Sequence, residues 1–337
     1  MKHDPTFARG SIERQASPLP VAVGIVCNGR GEVLITRRRR DSHQGGLWEF
    51  PGGKQERGES GYGALCRELK EEVDITVASA RPLIRVPHDY GGHRVLLDTW
   101  WVTRWSGTPR GRESQPMAWV APASLGEYAF PAADIPIIRA VNLPDQYLIT
   151  PEPDWEGPDA FLTTLDGCLS RGIRLVQIRI KEQNANRLTP EEYRAFLGRV
   201  VACCNARGAR CLLNGEPALA REVGMHGVHL TSRRLLAERE RASELSGDGF
   251  LVGASCHDRG ELEHACRIGV DFAVLAPVQA TKTHPGATPL TWAVFSEWVN
   301  PATIPVYALG GLSPKDRETA WENGGQGIAA IRGLWLS

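Results

Sequence analysis

Residues 52–75, GGKQERGESGYGALCRELKEEVDI, decide the fold of the first half of the chain because a glycine turn runs into a stretch with helical spacing. Each helical residue advances about 100° around the axis, so one edge of such a helix carries three carboxylates, Glu68, Glu71 and Glu72. Apolar side chains occupy the neighbouring edge: Tyr62, Leu65, Leu69 and Val73. The stretch therefore predicts a helix with one packed edge and one acidic edge.

Carboxylates this close repel one another unless a hard cation lies between them, and oxygen-only ligands suit Mg²⁺ or Mn²⁺. The Gly52-Gly53 turn allows the Gly52 carbonyl to approach such a cation, and Ser60 can cap the helix. The alternative is a solvated helix in which Arg67 and Glu71 pair at i,i+4. The complete pattern favours metal-assisted phosphate chemistry.

The spacing resembles the signature of the Nudix hydrolases. Five residues separate Gly53 from Glu59, seven more lead to Arg67, and the run closes as Arg-Glu-Leu-Lys-Glu-Glu. The sequence departs from that signature at Asp74, where the family has glycine. Glycine would serve a left-handed helix terminus, which Asp tolerates better than most residues, so we expect a small local cost and retained activity.

Length and composition describe an ordinary globular protein with two cores: 337 residues, 42% hydrophobic, 23% charged and a formal net charge of zero. With no net charge, no strong electrostatic field favours nucleic acid as a partner. A nucleotide would have to be bound by local cations and metal. The run 37–40 is the one conspicuous basic patch, and a solvated strand end is its alternative interpretation.

Eight cysteines form no CxxC pair, which argues against a zinc site and favours a reducing compartment. Residues 1–18 lack an apolar signal region, and no apolar run reaches membrane-spanning length. We expect a cytoplasmic protein with a flexible N-terminus over 1–18.

The first domain is predicted over 19–143. Strands at 21–27 and 33–36 are joined by Asn-Gly-Arg-Gly, a hairpin signal. Further strands are expected at 83–86, 94–104 and 118–120, and a terminal helix at 135–141. This order predicts an α+β sandwich.

Flanking residues over about 20–143 resemble MutT-type Nudix members, which hydrolyse oxidised purine nucleoside triphosphates. The matching segments are Thr-Arg-Arg at 36–38, Leu-Trp-Glu-Phe-Pro-Gly-Gly-Lys at 47–54 and Phe-Pro-Ala-Ala-Asp at 130–134. The resemblance implies the following substrate contacts: Arg38, His43, Glu49, Phe50, Pro51 and Asp134. Asp134 stands where that subfamily has a base-contacting Asn, and a carboxylate cannot donate unless it is protonated.

The resemblance also assigns catalytic roles. Glu113, in a loop before a predicted strand, is similar to a mobile-loop glutamate that joins the metal site; a surface acid is the alternative. The implied metal ligands are the Gly52 carbonyl, Glu71 and Glu72, with Glu113, and Glu68 as ligand or base. Arg67 completes the catalytic set. Water would attack a phosphorus of a nucleoside triphosphate and release a monophosphate and pyrophosphate, with Mg²⁺, or Mn²⁺, neutralising charge.

The second domain is predicted over 144–337. Eight short apolar runs alternate with amphipathic segments such as 190–206 and 232–245, which predicts a (β/α)₈ TIM barrel. The expected strands are 147–150, 175–180, 211–214, 227–231, 251–256, 272–278, 306–310 and 327–331. Barrel chemistry lies at strand carboxyl ends, where Gly310-Gly311 and Arg332-Gly333 could bind phosphate; two tight turns are the alternative.

This half resembles the thiamine phosphate synthase and TenI family. The segments that match include QIRIK at 177–181, GVHL at 227–230, GASCH at 253–257 and PVQATKT at 277–283. The resemblance implies these ligand contacts: Arg179, Lys181, Asn214, Ser255, Thr281, Thr283, Gly310, Gly311, Arg332 and Gly333.

The departures from that family concern catalysis. Where the synthase has Asn-Asp, a magnesium ligand, this chain has Asn214-Gly215, and a second Asp position falls near Arg234. Losing two carboxylates removes a hard-cation site. The catalytic histidine of the TenI-type tautomerase corresponds to Pro277, although His284 lies nearby and could act as a base. We expect a retained phosphate-ligand pocket with altered or lost catalysis.

Three functional hypotheses follow. The first is a Mg²⁺-dependent pyrophosphohydrolase that removes oxidised nucleotides such as 8-oxo-dGTP, fused to the barrel. The second is hydrolysis of thiamine-related diphosphates by the Nudix half. The third makes the barrel a regulatory module that binds a phosphorylated thiazole or pyrimidine; a purely structural barrel would leave its arginine and glycine loops without a role.

Overall fold

The computed structural model describes residues 17–40, 44–111, 115–247, 249–281, 286 and 288–335. Within them, no helix is both long and apolar enough to cross a membrane. The chain forms two domains, an α+β sandwich followed by a closed barrel, as the sequence predicts.

Two sheets build the first domain. The first has the order β4-β1-β6-β5, with β1 and β6 parallel and the other pairs antiparallel. The second is antiparallel, in the order β3-β2-β7. The strands are β1 (Leu19–Val26), β2 (Val33–Arg37), β3 (Trp48–Glu49), β4 (Gly52–Lys54), β5 (Thr76–Asp89), β6 (Arg94–Ser106) and β7 (Met117–Val120), and the helices are α1 (Gly61–Val73) and α2 (Ile135–Val141).

The predicted hairpin between the first two strands was wrong. β1 and β2 belong to different sheets and share only the isolated bridge Cys27–Val33. One edge of β1 pairs with β6 along its whole length and the other with β4 at residues 21–23, while β2 pairs with β3 and β7.

Helix α1 begins and ends as its sequence predicts. The Ser60 side chain accepts a hydrogen bond from Gly63 N, and Asp74 ends the helix in the left-handed region at φ 56°. Gly24 of β1 lets the helix approach, because a Cβ there would lie 2.8 Å from Leu69. One core prediction was wrong: Tyr62 is 38% exposed and lies against the Trp100 ring, since it lies in the first turn of the helix, ahead of the first buried residue, Ala64.

The second domain is a closed barrel of eight parallel strands, each within two or three residues of its predicted range. The strands are β8 (Gln146–Ile149), β9 (Leu175–Ile178), β10 (Arg210–Leu213), β11 (Gly227–Leu230), β12 (Leu251–Cys256), β13 (Phe272–Leu275), β14 (Val306–Leu309) and β15 (Gly327–Ala330). The helices are α3 (Pro158–Ser170), α4 (Glu182–Ala185), α5 (Pro190–Ala206), α6 (Pro217–Glu222), α7 (Ser232–Ala237), α8 (Arg259–Ile268), α9 (Thr291–Val299) and α10 (Arg317–Glu322).

Helix α5 covers the predicted segment 190–206, but the amphipathic segment 232–245 is not one helix. Helix α7 stops at Ala237 because Glu238 adopts extended backbone, and a short 3-10 turn, Ser243–Leu245, follows.

The domains meet at the amino ends of the barrel strands. Just before β15, the Gln326 side-chain amide donates to the carbonyls of Ala140 and Leu143, at 3.0 and 2.9 Å. Arg81 of β5 lies over the Trp321 ring of α10, 4.1 Å from its centroid. The carboxyl ends of the strands therefore face away from the first domain.

Candidate functional site

Two carboxylates of α1 lie against the glycine turn. Glu72 accepts a hydrogen bond from Gly52 N at 2.8 Å, and the buried Thr36 hydroxyl lies 3.4 Å from its other oxygen. A Cβ at Gly53 would stand 2.3 Å from the Glu68 carboxylate carbon. The turn therefore has to be glycine for Glu68 to occupy this position.

We call Glu68, Glu72 and the Gly52-Gly53 turn the α1 corner. Its carboxylates are crowded together, which changes the pKa of Glu72. Burial raises the pKa of Glu72 to about 7, the Gly52 N–H opposes that rise, and the carboxylates of Glu49 and Glu68 add to it. A positive charge among these groups would relieve the repulsion, so the donor chemistry fits a hard divalent cation.

Arg67 organises the acidic edge. Its guanidinium bonds to Glu59 at 2.9 Å and to Glu68 at 2.8 Å, and it donates to the Lys54 carbonyl at 3.0 Å. Glu71 lies 3.5 Å from the same guanidinium and its side chain is 49% exposed. The pairing of Arg67 with Glu71, considered above as the alternative to a metal site, thus exists alongside the converging Glu68 and Glu72.

The residues that would hold a cation are Glu68, Glu72 and the Gly52 carbonyl at the turn, with the predicted ligand Glu71 on the same helix edge, where its half-exposed side chain pairs with Arg67. In the part of the chain that the structure describes, no three His, Cys, Asp or Glu side chains converge closely enough to hold a metal alone. Backbone and phosphate oxygens would have to complete the coordination. Glu113 lies outside the described residues.

A second polar cluster adjoins this corner through Glu49, which pairs with Arg38. Burial raises the pKa of Asp134 to about 7, the nearby Glu49 carboxylate adds to the rise, and Arg38 opposes it. Tyr90, the residue after β5, faces the same groups: after burial, Asp134 is the largest cause of its raised pKa. We call Arg38, Glu49, Tyr90 and Asp134 the base cluster.

The predicted aromatic contact is buried in the structure. Phe50 is only 3% exposed and packs on Phe130, with ring centroids 5.4 Å apart. Pro51 is buried beside it, and its carbonyl accepts from Gly24 N at 2.8 Å. Neither side chain presents an open face, and His43 lies outside the described residues.

Glycines bring the barrel's carboxyl-end loops together. At Gly310 a Cβ would lie 2.8 Å from Pro277, and at Gly311 it would lie 2.5 Å from the Ala280 carbonyl. A Cβ at Gly333 would lie 2.4 Å from the Leu312 carbonyl. Loops after β13, β14 and β15 therefore converge, with Thr281 half-buried and Arg332 exposed at their edge. Thr283 lies outside the described residues.

The remaining predicted barrel contacts lie on neighbouring strand ends. Arg179 and the backbone N–H of Lys181 both approach the Glu152 carboxylate, at 3.9 and 3.2 Å. Asn214 donates its amide to the His229 carbonyl at 2.8 Å. Ser255 is the last but one residue of β12, and its hydroxyl lies 2.9 Å from His229 Nε2.

Several polar residues at these two sites escaped the sequence-based prediction: Thr36, Tyr90, Gln177 and His229. Gln177 is 3% exposed, and its side-chain oxygen has no hydrogen-bond partner among the described residues. The strand alternation around Gln177 and His229 was the available signal, since both stand at inward positions of short buried strands.

The barrel does not fit the synthase's magnesium. Where the family has carboxylate ligands, Gly215 offers no side chain, and Arg234 already pairs with three glutamates, Glu216, Glu238 and Glu244. A guanidinium in that place repels a metal ion, so these residues do not suit a magnesium-dependent synthase reaction.

The α1 corner and the α+β sandwich that holds it are those of a hydrolase of diphosphate linkages. The second domain is a barrel of the thiamine phosphate synthase type. The chain belongs to two families, the NUDIX domain over residues 22–140 and thiamine monophosphate synthase over residues 146–334.

Relatives cover the two halves separately. The 8-oxo-dGTP diphosphatase of Escherichia coli (strain K12) is 41% identical over 124 residues, 37% of this chain and 96% of that protein. The CTP pyrophosphohydrolase of the same strain is 35% identical over 118 residues, 35% of this chain and 87% of that protein. The putative thiamine-phosphate synthase 2 of Aquifex aeolicus (strain VF5) is 31% identical over 191 residues, 57% of this chain and 97% of that protein.

Proposed function

We propose that the first domain is a Mg²⁺-dependent nucleoside triphosphate pyrophosphohydrolase that converts 8-oxo-dGTP to 8-oxo-dGMP and pyrophosphate. The observation that carries this proposal is the convergence of Glu68 and Glu72 on the Gly52-Gly53 turn, linked through Glu49 to the base cluster. One site thus combines groups for phosphate chemistry with groups suited to a base edge.

The residues of this corner divide the work of hydrolysis. A bound Mg²⁺ would supply positive charge against the phosphates. Water attacks phosphorus, pyrophosphate leaves, and the proton of the water passes to a carboxylate oxygen of Glu68 or Glu72. Arg67 holds Glu68 in place through its bond at 2.8 Å. Gly52 N holds Glu72 in the same way.

The base cluster supports an oxidised purine. A protonated Asp134 offers one donor and one acceptor, as an amide does, and can match the N7–H and O6 of 8-oxoguanine. Cytosine also pairs a donor with an acceptor, so CTP is a second candidate, in keeping with the CTP pyrophosphohydrolase relative. Thiamine-related diphosphates remain a third, because the hydrolase is fused to a thiamine monophosphate synthase barrel.

For the barrel we propose binding of a phosphorylated thiazole or pyrimidine, with the synthase reaction altered or lost. The converging glycine loops supply backbone amides suited to a phosphate, and Gln177 supplies an acceptor inside the barrel that is unpaired among the described residues.

Steady-state hydrolysis of 8-oxo-dGTP, dGTP, CTP and thiamine diphosphate with Mg²⁺ tests the proposal, using wild type, Glu72→Gln and Glu71→Gln. We expect 8-oxo-dGTP to be preferred and Glu72→Gln to lower kcat/KM by roughly 100-fold or more, about 3 kcal/mol of transition-state stabilisation. Glu71→Gln tests the second predicted ligand, whose half-exposed side chain pairs with Arg67, and we expect it to lower kcat/KM as well. A loss at Glu72 within about threefold would exclude its role at the metal.

We also propose that the protein works in the cytoplasm on small nucleotides. Support comes from eight unpaired cysteines and a net charge of zero, which offers no electrostatic attraction to nucleic acid.

A further inference from the structure

Three side chains form a hydrogen-bonded row inside the barrel, running from the core to its carboxyl-end mouth. Tyr147 of β8 is fully buried, and its hydroxyl lies 3.1 Å from His229 Nδ1. His229 Nε2 lies 2.9 Å from the hydroxyl oxygen of Ser255. Ser255 is half-buried at the end of β12, where barrel ligands bind.

The fold makes room for this row. A Cβ at Gly253 would lie 2.8 Å from His229 Nδ1 and 2.5 Å from the Phe272 ring, so only glycine leaves space for the imidazole there. The His229 carbonyl accepts from the Asn214 amide, which fixes the backbone of β11 beside the ring.

The direction of each hydrogen bond follows by elimination. Burial lowers the pKa of His229 to about 3, so its ring is neutral and carries one N–H. Within the described residues, the Tyr147 hydroxyl has His229 Nδ1 as its one partner. If the Tyr147 oxygen accepted a hydrogen bond from Nδ1–H, the Tyr147 O–H would be buried without an acceptor, which is costly. Tyr147 therefore donates to Nδ1.

The imidazole proton must then sit on Nε2, which donates to the Ser255 oxygen. The hydroxyl hydrogen of Ser255 is left to point toward the mouth of the barrel. This polarity is the reverse of a serine nucleophile, whose hydroxyl donates to the imidazole.

From this geometry we propose that Tyr147 and His229 are positioning residues that fix the Ser255 hydroxyl as a hydrogen-bond donor to an anionic oxygen of the barrel ligand, and that Ser255 is not a nucleophile. The ligand side of the proposal rests on the proposed barrel function; the orientation of the row does not.

Two measurements on the full chain test it. Nitrogen-15 NMR of His229 should show protonated Nε2 and unprotonated Nδ1 in wild type, and a shift toward Nδ1–H in Tyr147→Phe. A fluorophosphonate reagent should leave Ser255 unlabelled. A wild-type Nδ1–H tautomer, or covalent labelling of Ser255, would overturn the proposal whether or not a ligand binds.

Calorimetry with 4-methyl-5-(2-hydroxyethyl)thiazole phosphate tests the ligand contact. We expect Ser255→Ala to weaken binding about tenfold, as for loss of one hydrogen bond to a charged group, and Tyr147→Phe to weaken it severalfold. In the Ser255→Ala background, Tyr147→Phe should weaken binding no further. If Tyr147→Phe acted only by disturbing packing, it would weaken binding in this background as well. Equal losses in both backgrounds would contradict the positioning role. If wild type does not bind this probe, the proposed barrel ligand is wrong. The orientation of the hydrogen bonds from Tyr147 to Ser255 is then tested by the His229 tautomer alone.

Discussion

Asp134 is the residue at which this chain departs most informatively from the MutT-type pattern. A carboxyl replaces an amide, and its environment determines whether the replacement keeps a donor. Asp134 is 7% exposed, and burial with the nearby Glu49 holds its pKa at about 7, although Arg38 opposes the rise. Near neutral pH the protonated acid and the carboxylate are both populated.

The titration of Asp134 predicts that hydrolysis of 8-oxo-dGTP depends on pH. The kcat/KM of wild type for 8-oxo-dGTP should fall above about pH 7, because a carboxylate cannot donate to O6 of the base. Asp134→Asn keeps both a donor and an acceptor and should remove this fall. The measurement is a pH profile of kcat/KM for both proteins. The groups facing Asp134 are Arg38, Glu49 and Tyr90, so Tyr90→Phe is the control that keeps the acid.

The same pKa predicts an effect on stability. The folded-state pKa of about 7 lies above the ordinary 3.8, so the folded protein binds this proton more tightly than the unfolded chain. Stability from this group is fully present below about pH 4, declines as pH rises to about 7, and stays lower above it. Asp134→Asn should therefore be more stable than wild type at pH 8, by roughly 1–3 kcal/mol, and the gain should shrink at pH 5. Urea unfolding at both pH values measures this; an equal gain at both would contradict it.

What the sequence could predict at this scale depended on local spacing. Glu68, Glu72 and Arg67 were placed correctly on one helix because helical period alone relates them. Tyr90 and Thr36 were not predicted as site residues, because their approach to Asp134 and Glu72 depends on how separate strands meet. The roles of the site residues themselves stay predictions until the variants are assayed.

At the scale of elements, the Gly52-Gly53 turn is the part of the site most sensitive to a single methyl group. Gly53→Ala would place a Cβ 2.3 Å from the Glu68 carboxylate and displace that side chain from the turn. We expect kcat/KM to fall at least tenfold, about 1.4 kcal/mol, with the fold retained. Gly29→Ala is the matched control, because a Cβ there meets nothing within 4 Å. Equal activity of the two variants would show that the position of Glu68 does not matter.

Elements were predicted well where the pattern is local and less well where pairing decides. Helix α2 and helix α5 were predicted with their observed bounds, because a proline near the start and a polar end mark each. The β1–β2 hairpin was wrong although its turn sequence is favourable, since β1 is held on both edges by strands distant in sequence. Turn chemistry cannot reveal such long-range competition.

At the scale of the whole molecule, the barrel's ligand loops lie at the end of the barrel opposite the first domain. The first domain contacts the amino ends of the barrel strands, while the barrel's glycine loops lie at the carboxyl ends. The residues that make this contact belong to neither site. The contact instead joins the two cores mechanically, through the segment between α2 and β8.

Arg81 and Gln326 carry much of that contact. Arg81 lies between the Trp101 ring of its own domain and the Trp321 ring of the barrel, with centroids at 5.6 and 4.1 Å, and burial lowers its pKa to about 10. Gln326 donates to two carbonyls at the end of α2 and in the linker. Cation–π contacts and buried hydrogen bonds of this kind contribute roughly 1–2 kcal/mol each.

The double variant Arg81→Ala/Gln326→Leu should therefore uncouple the unfolding of the domains. Wild type should unfold in one calorimetric transition, because loss of either domain exposes the interface of the other, whereas the variant should show two. Arg30→Ala, which removes an exposed ion pair with Glu32, is the control for loss of a charge. Hydrolysis at 25 °C should be unchanged in the double variant, since neither residue belongs to the α1 corner or the base cluster. A single transition at the wild-type temperature would mean that packing elsewhere along α2 suffices to join the domains.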